Sequence, residues 1–338
     1  MPANINNAMT GLDPLLDVFK LSGEPFEYLN ESDVHHALTR QPIEYYQFVK
    51  QRLLNIAQGH ATLIMPPKSV FTDNDTNGDF RIMPCIIEDN LDITKSVKLV
   101  GTNVIQECVP NQITVGKACI LHPTENFITH IVEACLLSSA RTAICAMLGI
   151  DLLSINQKKL TIIGAGRVGY YSAFYASALN WFEEVTIHDV DATRAHNCVN
   201  ALKTSFPNIK YRVCLKKSLP DTDVLILATT SSTPIYSIND FRAQLIISVG
   251  ADIDTQRELD DSCAKTAPIF VDSLDTARYG DIKSWLDNKL INEDSLIDLF
   301  TLLRDNNLIS NNNQSRVFVS TGTAFFDNIS LSYILKTL

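Results

Sequence analysis

The sequence is short of positive charge. It sets 28 Lys and Arg against 38 Asp and Glu, a formal net charge of −10 at pH 7. Non-specific binding to nucleic acid or to an anionic membrane needs clustered cations, so this balance argues against both partners. An anionic substrate stays open, because the field inside a site need not follow the net charge. There is also no uninterrupted apolar run of the roughly 20 residues needed to span a bilayer. The opening MPANINNAMTGLDPLLDVF has no basic stretch followed by an apolar one, so no signal peptide is expected. A cytoplasmic location follows as the expectation. The 8 cysteines (Cys85, Cys108, Cys119, Cys135, Cys145, Cys198, Cys214 and Cys263) include no CxxC pair. Their spacing fits no zinc module, and the sequence offers no metal site. Most lie in apolar runs such as CAMLGI and YRVCL, where free, reduced, buried thiols are expected.

What is present is an ordinary globular composition, 46% hydrophobic and 20% charged, over 338 residues. That length exceeds a usual domain of about 100–200 residues, so two domains are expected. Residues 1–25, with Asn, Gly and Pro throughout, read as a loose arm. From Phe26 to about Ile64 the pattern suggests a strand and then helices. The polar TDNDTNGD (72–79) reads as a hairpin turn. Strand-like segments follow at 80–87, 96–104, 117–122 and 128–134 with no helix between them, which implies an antiparallel or mixed sheet. From Ser138 the grammar changes. SSARTAICAMLGIDLLS reads as a helix capped by Ser138 or Ser139. Strands and helices then alternate through LTIIGAG, EVTIHD, KYRVCL, DVLILATT, QLIISVGAD and PIFVDS. Such alternation implies a doubly wound parallel sheet. The last segment carries a strand, a turn at Gly322 and a helix, and is expected to return to the first domain. The reading is an α/β chain. Residues 138–313 form a Rossmann domain, and residues 1–137 with 314–338 form an α+β substrate and dimerisation domain.

Gly164, Gly166 and Gly169 spell G-x-G-x-x-G. The pattern is weak alone, but here it leaves the strand LTII and opens a long apolar helix. Gly164 permits the tight turn, Gly166 lets the backbone approach a pyrophosphate, and Gly169 lets the helix pack on the strand. The helix start, Arg167 and Val168, would offer free N–H groups to phosphate. Asp189 ends the next strand, where a carboxylate accepts from ribose hydroxyls and repels a 2′-phosphate. NAD is therefore expected rather than NADP. Thr229, Thr230 and Ser231 follow the strand DVLIL and either line the nicotinamide or form a polar loop.

Charges in apolar surroundings point to the substrate, since a lone buried charge is costly without a partner. Lys98 sits in VKLVG, Arg141 in SSARTAICAM, and Asp252 at the C-terminal end of IISVGA. Each alone fits a structural ion pair as well as a catalytic role. Together with Met83–Pro84, IIGAG, ISVGADIDTQREL, VDS with the later GDI, and STGTAFFDN, they give a chain that resembles the ornithine cyclodeaminase/mu-crystallin family from about Phe26 to its end. The resemblance implies a Rossmann domain, an N-terminal domain that carries a dimer interface, and usually a homodimer. It also implies hydride transfer between an amino-acid Cα and the nicotinamide. Lys98 and Arg141 would hold the α-carboxylate, and Asp252 would contact an amino group or move protons.

Two positions depart from the cyclodeaminase pattern. Lys68 in MPPKSV stands where those enzymes typically carry Arg, and Arg81 in FRIMP where they carry Glu. A carboxylate suits a diamine, whereas Arg suits an additional carboxylate. IVEACLLSSARTA looks most like the branch of opine-type dehydrogenases in siderophore pathways. These oxidise N-(2-amino-2-carboxyethyl)-L-glutamate to 2,3-diaminopropionate and 2-oxoglutarate. The GAD at Gly250–Asp252 looks more like cyclodeaminases and the family's alanine dehydrogenases. A small amino acid or imine is the expected substrate, and the leading expectation is an NAD-dependent, opine-type dehydrogenase oxidising a secondary-amine amino acid such as N-(2-amino-2-carboxyethyl)-L-glutamate. Lys98 and Asp252 would be catalytic, with Lys68, Arg81 and Arg141 binding substrate. The alternatives are an ornithine or lysine cyclodeaminase, a ketimine reductase or alanine dehydrogenase, and a non-enzymatic binding protein of the mu-crystallin type.

Overall fold

The structure, a computed structural model, describes residues 23–73, 75–76, 78–89, 92–214, 219–305 and 314–338. Of the expected N-terminal arm, residues 1–22 lie outside the described residues, as do residues 74 and 77 of the expected hairpin turn.

The first sheet contains β1 (Glu27–Leu29), β2 (Ala61–Ile64), β3 (Ser69–Asp73), β4 (Gly78–Asp89), β5 (Ile93–Thr102), β6 (Thr114–Leu121) and β7 (Ile128–Glu133). Their spatial order is β1-β7-β6-β5-β4-β2, with β3 also on β4; β1 runs parallel to β7 and the other pairs are antiparallel. Strand alternation decides which side chains reach the site. On β4 the buried residues are Arg81, Met83, Cys85 and Ile87, and on β5 Thr94, Ser96, Lys98 and Val100. Met83 is opposite Lys98 and Arg81 opposite Val100, so the two cations share one face.

Helices α1 (Glu31–Thr39) and α2 (Pro42–Ala57) precede β2, and β7 runs straight into α3 (Ala134–Leu153). The helix starts four residues earlier than the sequence suggested. Its cap is Glu133, whose carboxylate accepts from the N–H groups of Cys135 and Leu136. Ser138 and Ser139 are not caps. The Ser139 hydroxyl donates back to the Cys135 carbonyl (2.8 Å), as mid-helix serines do. By length and composition α3 could cross a membrane, contrary to the expectation that no such stretch exists. However, 78% of its most apolar window is buried inside the protein, as in the core helix of a globular domain.

The second sheet is parallel throughout: β8 (Lys159–Ile163), β9 (Glu184–His188), β10 (Lys210–Val213), β11 (Thr222–Leu227), β12 (Ala243–Ser248), β13 (Ile269–Val271), β14 (Leu296–Asp298) and β15 (Arg316–Val319). Its order is β10-β9-β8-β11-β12-β15-β13-β14. The order reverses between β8 and β11, the switch point where doubly wound sheets bind ligands. Helices α4 (Arg167–Ala178), α5 (Ala192–Ser205), α6 (Asp261–Thr266), α7 (Gly280–Asp287) and α8 (Leu299–Arg304) connect the strands. β2, β3, β14 and α6–α8 are short elements that the sequence pattern did not separate from their surroundings.

The expected domain division needs correction at both borders. The border at 138 falls inside α3. The segment from 314 is shared, because β15 sits between β12 and β13 in the parallel sheet. Only its helix α9 (Ala324–Thr337) reaches the first sheet, where it packs on β4 and β5 and against α1, α2 and α3. α9 is buried on all sides from Ala324 to Ile334, which explains why it is apolar all round. Asn328 pins it: Nδ2 donates to the carbonyls of Cys85 (3.1 Å) and Thr94 (2.9 Å) and to Ser96 Oγ (2.9 Å). That fixes the neighbouring Asp327 above Lys98.

Candidate active site

A cavity of about 780 Å³ lies between the inner face of the first sheet, the start of α3 and the C-terminal ends of β8, β11 and β12. Its size is in the range of small-molecule and cofactor sites. Lys68, Arg81, Lys98, Arg141 and Asp252 all line it, although they come from five separate stretches of sequence.

Lys98 is 1% exposed, and its Nζ lies 2.6 Å from Asp327 Oδ2 and donates to Ser138 Oγ (3.2 Å). Arg141 Nε lies 2.9 Å from Asp327 Oδ1. The expected carboxylate clamp is thus two cations bridged by one buried aspartate. Arg141 Nη1 is buried with no hydrogen-bond partner. Gly322 has φ +81, which favours glycine, and a Cβ there would come within 2.9 Å of both Arg141 Nη atoms, so the guanidinium would have to shift. Burial pulls Lys98 down to about 7, while Asp327 opposes the shift.

Arg81 Nη1 donates to Asp252 Oδ2 (2.7 Å), and its Nε and Nη2 donate to Asp79 (3.2 and 3.0 Å). Lys68 Nζ donates to the Thr321 carbonyl (2.9 Å) and sits 3.7 Å from the centre of the Tyr279 ring. Its nearest partners are therefore neutral, and burial lowers it to about 8. Enclosure would raise Asp252, but the charges of Arg81 and then Lys68 outweigh it and hold the carboxyl below its usual range. Asp252 is an anion between two cations.

The glycine turn matches its sequence signature. Gly164 has φ +106, and a Cβ there would strike the Ala228 carbonyl at 2.3 Å; a Cβ on Gly169 would lie 1.8 Å from Gly164 O. At Gly166 a Cβ would meet nothing within 4 Å, and no side chain caps α4. That uncapped helix start lies in the cavity wall, which Gly166, Arg167 and Val168 line. This is a cradle that fits the pyrophosphate of a dinucleotide. Thr229 and Thr230 line the same cavity, but Ser231 does not: its hydroxyl donates to the Thr233 carbonyl (2.6 Å) and closes a local turn. Asp189 is also committed. Oδ2 accepts from Ala165 N (2.7 Å) and Oδ1 from Asp191 N (2.8 Å), so it braces the glycine turn with one acceptor position left on each oxygen, and it is not among the residues that line the cavity. No group of three His, Cys, Asp or Glu able to hold a metal occurs among the described residues.

Sequence reasoning missed Asp327, Tyr279 and the buried carboxylates Glu258 and Asp272. Asp327 was legible in principle, as an acid inside the apolar TAFFDN. The other three carried no signal without the fold.

The profile of the ornithine cyclodeaminase/mu-crystallin family matches residues 29–337. The chain belongs to that family. It is 26% identical over 243 residues to the N-((2S)-2-amino-2-carboxyethyl)-L-glutamate dehydrogenase of Staphylococcus aureus, covering 69% of this chain and 71% of the relative. It is 24% identical over 230 residues to the Δ1-pyrroline-2-carboxylate reductase of Paracoccus denitrificans, covering 66% and 73%. An archaeal alanine dehydrogenase dimer with bound NAD superposes with a TM-score of 0.80 at 20% identity, over 92% of this chain and 95% of that one, which establishes the shared fold.

Proposed function

We propose that the protein is an NAD-dependent dehydrogenase that oxidises a secondary-amine amino acid carrying more than one carboxylate, N-(2-amino-2-carboxyethyl)-L-glutamate being the best fit. The observation that carries this reading is the cation supply around Asp252. Arg81 bridges Asp79 and Asp252, and Lys68 stands nearby, directly touching only a carbonyl and an aromatic ring and sharing the charge of Asp252. A monocarboxylate would need only Lys98 and Arg141, and would leave Lys68 to share Asp252 with Arg81 as its counter-charge. A cyclodeaminase acting on a diamine would have to place a second ammonium beside Arg81.

Bound NAD supplies the acceptor for the hydride leaving the substrate α-carbon. The chain's own residues do the rest. Arg141, which lines the cavity, offers its guanidinium to one carboxylate, with Lys98 beside it and Asp327 fixing both. Lys68 and Arg81 hold a second carboxylate. Asp252, ionised at neutral pH, accepts the amine proton as the C=N bond forms. It then orients the water that splits the imine. In sum, substrate, NAD⁺ and water give 2,3-diaminopropionate, 2-oxoglutarate, NADH and a proton. A cytoplasmic location agrees with the use of NAD and with 8 free cysteines. Homodimerisation through the first sheet agrees with its outer face, where Phe71, Phe80 and Leu99 are exposed.

The test is NADH absorbance with NAD and a panel containing the aminocarboxyethyl-glutamate, ornithine, lysine, proline and alanine, with ammonia and 2-oxoglutarate assayed alongside. NADH and 2-oxoglutarate rising together without ammonia is the expected result. Ammonia from a diamine with no net NADH would identify a cyclodeaminase, and NADH from proline alone would identify a cyclic-imine reductase running in reverse. Either outcome would overturn the proposal.

A further inference from the structure

Behind the cavity wall, and outside its lining, lies a carboxylate that the chemistry above does not use. Glu258 is fully buried, and its chain neighbour Arg257 turns away to Asp281 (2.9 Å). Oε1 accepts from Thr229 N (2.7 Å) and Thr229 Oγ1 (2.9 Å); Oε2 accepts from Ser248 Oγ (2.7 Å) and Gly250 N (2.9 Å). Two lone pairs on each oxygen make four acceptor positions, and all four are filled.

The donors sit where two neighbouring strands end. Thr229 is two residues past β11, and Gly250 two residues past β12. At such exits the sheet's own hydrogen bonding stops, and a buried N–H needs another acceptor. One carboxylate serves both exits at once. The loops are in direct contact there: a Cβ on Gly250 would lie 2.1 Å from Thr229 O and 2.5 Å from Glu258 Oε1. Glu258 is itself fixed by its backbone. Its carbonyl accepts from Ile235 N (2.9 Å) and Tyr236 N (3.1 Å), and its N–H donates to Asp281 Oδ1 (3.1 Å).

These adjoining loops bring Thr229, Thr230, Val249, Gly250 and Asp252 to the cavity wall. A dinucleotide whose pyrophosphate rests at Gly166 and whose reactive end reaches Asp252 must run along them. We propose that Glu258 is a positioning residue, which locks the exits of β11 and β12 together and so sets where the nicotinamide end lies against Asp252. The inference rests on the NAD reading above.

Glu258→Gln tests it with little change of shape. Whichever way the amide turns, its NH2 faces a backbone N–H: that of Thr229 in one orientation, that of Gly250 in the other. One exit must be released. Calorimetric titration of the variant with NAD and with ADP-ribose should then separate the two ends of the cofactor. NAD affinity should fall about tenfold, ~1.4 kcal/mol, while ADP-ribose affinity stays within about twofold. Displacement of roughly an ångström at the reacting end should cost about 100-fold in kcat. The substrate KM should hold, because the carboxylate anchors sit on other elements. Glu258→Asp keeps the charge but is one methylene too short to hold both exits, and it should shift the same quantities in the same direction. Hydrogen exchange on the wild-type protein gives a readout independent of any variant's folding: the amides of Thr229 and Gly250 should be protected without ligand. Equal losses of NAD and ADP-ribose affinity, wild-type kcat in both folded variants, or free exchange at those amides would overturn the inference. Failure of the wild-type protein to bind NAD at all would instead overturn the cofactor reading on which it rests.

Discussion

Replacing Asp327 by Asn would remove the single carboxylate that touches both Lys98 (2.6 Å) and Arg141 (2.9 Å), and the change would leave two buried cations facing each other. Breaking a buried pair by deleting one partner costs about 3–5 kcal/mol. The two cations respond differently. Arg141 cannot shed its proton, so its share of the loss is the same at every working pH. Lys98 can. Burial already brings it to about 7 in the native protein with Asp327 opposing, so without Asp327 it titrates lower still. Both folded values lie below the roughly 10.4 of an unfolded lysine. The unfolded chain therefore binds more protons over the interval, and stability rises with pH across it. For the native protein that rise begins near pH 7. For the variant it begins lower, so between the variant's value and pH 7 only the variant gains stability. Its deficit should be largest in acid, shrink by about 1.4 kcal/mol per pH unit over that window, and level off above pH 7 at the Arg141 share. Thermal unfolding midpoints of the two proteins at pH 5, 6, 7, 8 and 9 would show this. Midpoints that coincide throughout, or a deficit that widens as pH rises, would refute the idea that Asp327 is the shared counter-charge.

Gly166→Val should leave the unfolding midpoint unchanged, because its side chain enters open space, yet weaken NAD binding by about tenfold or more; Gly169→Ala should instead lower the midpoint, since its methyl meets Gly164 O, and titration plus melting of both variants checks the contrast. Lys68 is needed as a cation and titrates near 8, so kcat/KM for the dicarboxylate should fall as pH rises through that value. Lys68→Arg, which stays charged, should move that alkaline limb upward, and an unmoved limb in a pH–rate profile would remove Lys68 from substrate binding. Phe80, 53% exposed and stacked on Phe71 at 4.7 Å between ring centres, should lie in the dimer contact. Phe80→Glu should convert a dimer to a monomer in sedimentation, whereas a wild-type monomer would refute that use of the face.

The features legible in the sequence were those with a local physical demand. The glycine turn was readable because each glycine answers a separate steric requirement within six residues, and the structure shows both a positive φ and the close approaches. Lys98, Arg141 and Asp252 were readable because a charge in an apolar run must be paid for somewhere. That argument identifies a debtor without naming its creditor. The partner of Lys98 is 229 positions away on α9, and that of Arg81 is 171 positions away at the end of β12. No spacing rule connects them, only the register of β4 on β5 and the anchoring of Asn328. The same blindness misplaced the start of α3. Two serines in sequence looked like caps, but the carboxylate of Glu133, delivered by the last residue of β7, reached the free N–H groups first. Ser231 differs in a related way, because its type fits a cofactor role while the Thr233 carbonyl takes its hydroxyl. A buried polar group takes the nearest donor or acceptor that the fold supplies. Residue type therefore predicts that such a group has a partner, and topology alone decides whether the partner is a substrate or the protein itself.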